Sequence, residues 1–209
     1  MALTINHQTN DISATSGSMT IDGASVGGGG GGAHTLISTT NVTTAVAQVD
    51  ISLSGTYEKY VLTFLNVNAS GDPDEPLRLR VSDDNGSTFK TSSFYTDKGI
   101  GLYSLANNTR GQTNPSSFGT GTDSFRIFDG SSQTYGVRHG ELHIYDPHNS
   151  SNDWSAYCLW VGQSDNAGGG VAAGWNVSSY YVAADYNAIR LYFNGDNMTS
   201  GEFKLFGVS

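Results

Sequence analysis

Charge is scarce in this chain. Of its 209 residues only 14% are Asp, Glu, Lys or Arg, against roughly 25% in an ordinary soluble domain. Lysine and arginine total ten and never cluster, and the formal net charge is −9. Binding to nucleic acid by phosphate neutralisation is therefore not expected, and neither is a polybasic or amphipathic membrane anchor. No apolar run approaches the ~20 residues of a membrane-spanning helix. Cys158 is the single cysteine, which excludes an intrachain disulfide framework and a cysteine-built metal site. Within "DWSAYCLWVG" it reads as a buried strand residue. The opening "MALTINHQTND" has no charged stretch followed by an apolar one, so no export signal is expected there.

Gly, Ser, Thr and Asn fill the space that charge leaves. That composition suits strands joined by turns and disfavours long helices, whose good formers are few. It also produces N-x-S/T triplets at Asn41, Asn68, Asn85, Asn107, Asn149, Asn176 and Asn197. Without an export signal they read as a by-product of composition rather than glycan sites.

Two parts are distinguishable along the chain. Residues 1–33 hold short β-like pieces, "LTINH", "DISAT" and "SMTID", ending in the six-glycine run Gly27, Gly28, Gly29, Gly30, Gly31 and Gly32. They carry too few apolar residues for a core of their own, so the segment is disordered alone or orders against another surface. From 34 to 209 the pattern alternates with period two. Ala47, Val49, Ile51 and Leu53 alternate with polar neighbours, as do Leu77, Leu79 and Val81, whereas "YEKYVLTFLNV" is apolar on both faces, as in a strand covered on two sides. "DDNG" at Asp83–Gly86 predicts a hairpin turn. Turn signals recur every ten to fifteen residues, giving roughly eight to ten strands in one compact region. The expected fold is all-β, an antiparallel β-sandwich of jelly-roll type preceded by an extended N-terminal arm.

Candidate chemistry is thin. The glycine run is followed by "AHTLIST", with neither the G-K-[ST] of a phosphate loop nor a helix start. "HGELH" places His139, Glu141 and His143 on one strand face, but the histidines then lie ~13 Å apart, too far to share one zinc. His7, His34 and His148 are scattered. Asp72, Asp74 and Glu75 in "SGDPDEP" offer oxygen ligands for Ca²⁺, though a solvated acidic turn explains them equally well. No carboxylate pair stands out for glycoside hydrolysis, and no nucleophile elbow is present. No enzyme activity, cofactor or metal is expected. Tyr103, Trp154, Trp175, Tyr180, Tyr181 and Tyr186 are aromatic candidates for stacking on a sugar ring, set against core or subunit-interface roles.

Three stretches, "ISLSGTYEKYVLTFLNVNAS", "LRLRVSDDNGSTFKTSSFY" and the terminal "NAIRLYFNGDNMTSGEFKLFGVS", together resemble the jelly-roll domain of tailed-phage virion proteins. Such domains occur in head-decoration proteins, short head fibres and tail-fibre tips, and the resemblance spans about residues 45–209. The segment "LTINHQTNDISATSGSMTIDG" is similar to the attachment segments that precede them. The resemblance implies a homotrimeric, non-enzymatic structural protein of the virion, assembled in the bacterial host cytoplasm. Its partners would be its own copies and the major capsid protein or tail and adaptor proteins. It further implies attachment through Leu3, Ile5, Ile12, Met19 and Ile21, and close approach of three chains at Gly27–Gly32. A tail-fibre protein recognising host-surface glycans through Tyr103, Trp154, Tyr180 and Tyr181 is the alternative.

Overall fold

The computed structural model describes residues 3–6, 11–14, 19–21, 24–26, 34–55, 57–71, 75–105, 110–113, 120–127, 135–164 and 170–208. The chain divides into two units, Met1–Ala33 and His34–Ser209. In the first, β1 (Leu3–Asn6) pairs antiparallel with β2 (Asp11–Ala14), and β3 (Met19–Ile21) with β4 (Ala24–Val26). Leu3, Ile5, Ile12, Met19 and Ile21 sit on these strands, their side chains outside the described set, as is the whole Gly27–Gly32 run.

The second unit is an antiparallel β-sandwich, and no described residue is helical. Its strands are β5 (His34–Val42), β6 (Gln48–Ser52), β7 (Lys59–Ala69), β8 (Leu77–Ser82) and β9 (Tyr95–Leu105). Three short strands follow, β10 (Arg110–Thr113), β11 (Thr120–Thr122) and β12 (Phe125–Arg126). The long strands β13 (Tyr135–Tyr145), β14 (Trp154–Ser164) and β15 (Gly170–Tyr180) precede β16 (Ala188–Phe193) and β17 (Met198–Val208). The large sheet runs β10-β9-β15-β14-β13-β7-β17-β5, with β11 also on β9, and the small sheet runs β12-β8-β16-β6.

Successive strands from β6 to β9 change sheet at each connection, and β16 returns between β6 and β8. This is the crossing order of a jelly roll, with the meander β13-β14-β15 filling one strand position between β7 and β9. Long-range pairing of this kind is why β17, at the chain's C-terminal end, lies inside the large sheet between β7 and β5.

Alternation decides what lies between the sheets. In β6 Val49 and Ile51 point inward, and β8 contributes Leu77, Leu79 and Val81. They meet Tyr60, Leu62, Phe64, Leu142, Ile144, Trp154, Trp160, Phe203 and Leu205 of the large sheet in one core, the layer of interdigitated side chains that two packed sheets share.

Three expectations change. "SFYTD" and "GLYSL" belong to one continuous strand, β9, and the sandwich has nine plus four strands rather than eight to ten. The short strands β10 to β12 lack the length for a legible period. At "DDNG", Asn85 and Gly86 do take positive φ, 59° and 81°, but the turn carries the chain from β8 in one sheet to β9 in the other. It is a crossover turn, not a hairpin. Finally, the outer side of β7 is covered only in part, since Val61 is buried while Leu65 is 42% exposed.

Candidate assembly face

On the outer side of the large sheet, strand register builds two rows of side chains. One runs Glu141–Leu159–Trp175–Ile100 across β13, β14, β15 and β9, and the next runs His139–Val161–Ala173–Leu102. Between them the backbone of Gly140, Trp160 and Gly174 forms the floor of a groove of about 660 Å³, closed at the β7 end by Thr63 and Leu65. The floor is flat because its inward side leaves no room for more. A Cβ on Gly140 would strike the Leu159 carbonyl and the Phe64 ring, and one on Gly174 would lie 2.7 Å from the Trp160 ring.

The middle of strand β15, between the inward Ala172 and Tyr180, has its polarity reversed. It turns Gly174, Asn176 and Ser178 inward, and Val171, Trp175 and Val177 outward. Asn176, 1% exposed, accepts a hydrogen bond from Trp160 Nε1 at 2.9 Å and donates to the Arg126 carbonyl at 3.2 Å. Ser178 Oγ donates to the Thr96 carbonyl at 2.7 Å. The inward polar groups are thus satisfied, as burial demands. The outward apolar groups are not covered: Leu102 is 59% exposed, Val171 56%, Val161 45% and Trp175 40%. With Leu65, Leu159 and Val177 they make up an exposed apolar stretch of the sheet's outer face, and contiguous exposed apolar surface marks a place where a partner or ligand binds.

Other clusters are self-contained. Tyr60 Oη lies 2.9 Å from His148 Nε2, and His148 Nδ1 lies 2.8 Å from Asp185 Oδ1. Tyr60 Oη also reaches the Gly55 carbonyl at 3.1 Å. The order resembles a nucleophile–base–acid relay, but Tyr60 is buried and its hydroxyl faces carbonyls. Burial pushes its pKa up, away from the phenolate a nucleophile requires. The relay ties three connections of the sandwich together. On the small sheet's outer side Arg190 makes a bidentate pair with Asp50 at 2.7 Å, with Phe89 stacked 4.0 Å from its guanidinium. Arg80 pairs with Asp123, and Arg78 with Glu75 at 3.4 Å. Inside, Asp97 accepts from the Arg126 amide at 3.1 Å, and burial raises its carboxyl pKa.

The sequence-stated candidates separate accordingly. His139, Glu141 and His143 share the outer face, with His143 Nε2 3.2 Å from Glu141 Oε1. Among the described residues no cluster of three His, Cys, Asp or Glu suits a metal. Glu75 is turned to Arg78, while Asp72 and Asp74 lie outside the described residues. Cys158 is buried, and its thiol pKa is raised well above the ordinary range by that burial. Asn176, the sixth triplet asparagine, is core.

The glycan candidates need correction. Trp154 and Tyr180 are 1% and 2% exposed and belong to the core. Tyr180 stacks 4.4 Å from Tyr95 and its hydroxyl lies 2.5 Å from Ser92 Oγ. Period two places both rings inward, so neither can meet a sugar. Tyr186 is buried as well, whereas Tyr181 and Trp175 are exposed. The side chain of Tyr103 lies outside the described set. Sequence reasoning missed Leu159 and Val161. Their signal was present in "SAYCLWVG", where both alternation phases are apolar, as in the "YEKYVLTFLNV" stretch that did prompt a two-sided reading.

No protein-family model matches the chain, and no curated protein matches it either.

Proposed function

We propose that the protein is a non-enzymatic structural subunit of a tailed-phage virion: a trimeric capsid decoration or cement protein, or a short head fibre. Residues 1–33 would attach it to the shell, and the sandwich would project from that attachment. The observation that supports an assembly role is the reversed polarity of the middle of β15. A strand that hides Asn176 and Ser178 while displaying Val171, Trp175 and Val177 matches a sheet whose outer side is covered in the working state. The three stretches of resemblance supply the virion context. Scarce charge suits broad contacts of hydrogen bonds and apolar surface, which can brace neighbouring capsomers without chemistry.

The glycan-recognition reading loses two of its four rings to the core. Of the other two, Tyr181 is exposed and the side chain of Tyr103 lies outside the described set; Trp175 is exposed too, but among the described residues the groove beside it has polar side chains only at the Thr63, His139 and Glu141 end. Sugar recognition needs several convergent hydrogen-bonding groups. Electron microscopy of particles carrying the tagged protein tests the proposal. Many copies spread over the head are expected. Density confined to the tail would favour the fibre alternative, and particles lacking the protein would overturn the virion role.

A further inference from the structure

We infer that Asn194, in the connection between β16 and β17, is a site of spontaneous covalent modification, at which the side-chain amide closes a ring with the Gly195 nitrogen and is converted to aspartate and isoaspartate. The chain contains two Asn-Gly pairs, Asn85–Gly86 and Asn194–Gly195. A glycine after asparagine leaves the attacking backbone nitrogen unhindered, because no Cβ stands beside it. By sequence chemistry the two pairs are equivalent. Their settings in the fold are not.

At the first pair the backbone is held. Asn85 N donates to Asn187 Oδ1 at 2.8 Å, and Gly86 N donates to Ser82 Oγ at 3.0 Å. Ser82 is buried, and its hydroxyl is itself fixed by donating to Asp84 Oδ1 at 2.7 Å. Ring closure at Asn85 requires Gly86 N to give up its proton and turn to the asparagine Cγ, which breaks the bond to Ser82. At the second pair no such bond has to break. Among the described residues, neither the Asn194 side-chain amide nor the Gly195 N–H takes part in a hydrogen bond. Both residues are exposed, and the space beside the Gly195 Cα is open to 4 Å.

The reaction needs only water. Gly195 N attacks Asn194 Cγ, the N–Cγ bond forms, the Cγ–Nδ2 bond breaks, and ammonia leaves with the proton that the Gly195 nitrogen gives up. Water then opens the cyclic imide. Addition at Cγ breaks the new N–Cγ bond and yields aspartate. Addition at the backbone carbonyl carbon breaks the original peptide bond instead and yields isoaspartate, in which the chain runs through Cβ and Cγ. Either product adds one negative charge to a chain of net charge −9. Beyond the turn the chain is anchored. Ser70 N donates to the Asn197 carbonyl at 2.8 Å, Asn197 N donates to Ser70 Oγ at 3.1 Å, and Met198 and Val46 exchange two backbone bonds. The extra backbone atom of isoaspartate is therefore taken up in the open space at Gly195, and β16 and β17 keep their places.

The test is peptide mapping by mass spectrometry of the full chain kept folded in mildly alkaline buffer, with the same chain in guanidinium chloride as the reference for each site. Isoaspartate is distinguished from aspartate by chromatographic retention and by labelling with an isoaspartyl methyltransferase. Folding is expected to slow conversion at Asn85 by at least about tenfold, the worth of one or two hydrogen bonds. Asn194 is expected to convert in the folded chain at close to its rate in denaturant. Ser82→Ala frees Gly86 N, and should speed conversion at Asn85 while leaving Asn194 unchanged, with circular dichroism as the control for folding. Should that variant not fold, Asn187→Ala removes the bond to Asn85 N and is expected to act in the same direction. Folding that slows Asn194 as much as Asn85 overturns the assignment of the site. Folding that leaves Asn85 as fast as Asn194 overturns the protection by hydrogen bonding that distinguishes them.

Discussion

The Asp84 carboxylate sits in the turn after β8 and accepts three hydrogen bonds, from the Thr88 amide at 2.8 Å, Thr88 Oγ1 at 2.6 Å and Ser82 Oγ at 2.7 Å. The Thr88 side-chain and amide bonds, then Ser82, favour the charged form and lower its pKa from 3.8 to about 2. Because the folded value is the lower one, the contribution to stability is complete above about pH 3.8 and is lost as pH falls towards about 2. Urea unfolding midpoints taken across that window should decline more steeply for the wild type than for Asp84→Asn. Equal slopes would show that these bonds do not persist in solution. The same scale explains the aromatic reassignments. Trp154 and Tyr180 occupy facing positions on β14 and β15, both in the inward phase, so residue type suggested a binding surface where strand phase dictates core.

Among the elements, β14 and β15 carry the most information about how the sheet is built. Trp160 fits because its register neighbours on both sides, Gly140 and Gly174, lack side chains. A Cβ on Gly174 would meet the Ile100 carbonyl and lie 2.7 Å from the Trp160 ring. Gly174→Ala should therefore destabilise the sandwich by about 1–3 kcal/mol through overpacking, read as a lowered denaturation midpoint with an unchanged m-value. A neutral result would mean that Trp160 can move aside freely. Strands with clean alternation, such as β6 and β8, were legible in the sequence, since half-buried strands write their burial in period two. So were the turn at Asn85–Gly86 and the final strand β17. Sheet membership was not legible, because the turn chemistry of "DDNG" is the same whether the next strand pairs locally or crosses over. Nor was the uncovered side of β14 and β15, since an apolar strand position does not say whether its cover is the same chain or another.

For the molecule as a whole, the argument turns on which part can stand alone. Among the described residues, every member of the hydrophobic core, from Val42 to Leu205, lies within the His34–Ser209 unit. Burial of apolar surface is the main favourable term in folding, so the sandwich draws its stability from its own sequence. Among the described residues the first unit has only short pairings, β1 with β2 and β3 with β4, and isolated two-stranded hairpins are marginal in water. In the proposed attachment role, residues on such strands would gain order from what they dock against, and leave the fold of the sandwich unaffected. A chain starting at residue 34 should therefore unfold cooperatively, with a denaturation midpoint and near-ultraviolet circular dichroism close to those of the full chain. It should keep the same oligomeric mass as the full chain, and, if the proposed attachment through residues 1–33 holds, fail to bind particles that lack the protein. Loss of the cooperative transition would show that residues 1–33 contribute to the sandwich's stability. Full binding by the shortened chain would move the attachment surface onto the sandwich itself, where the uncovered Trp175 face would be the first place to look.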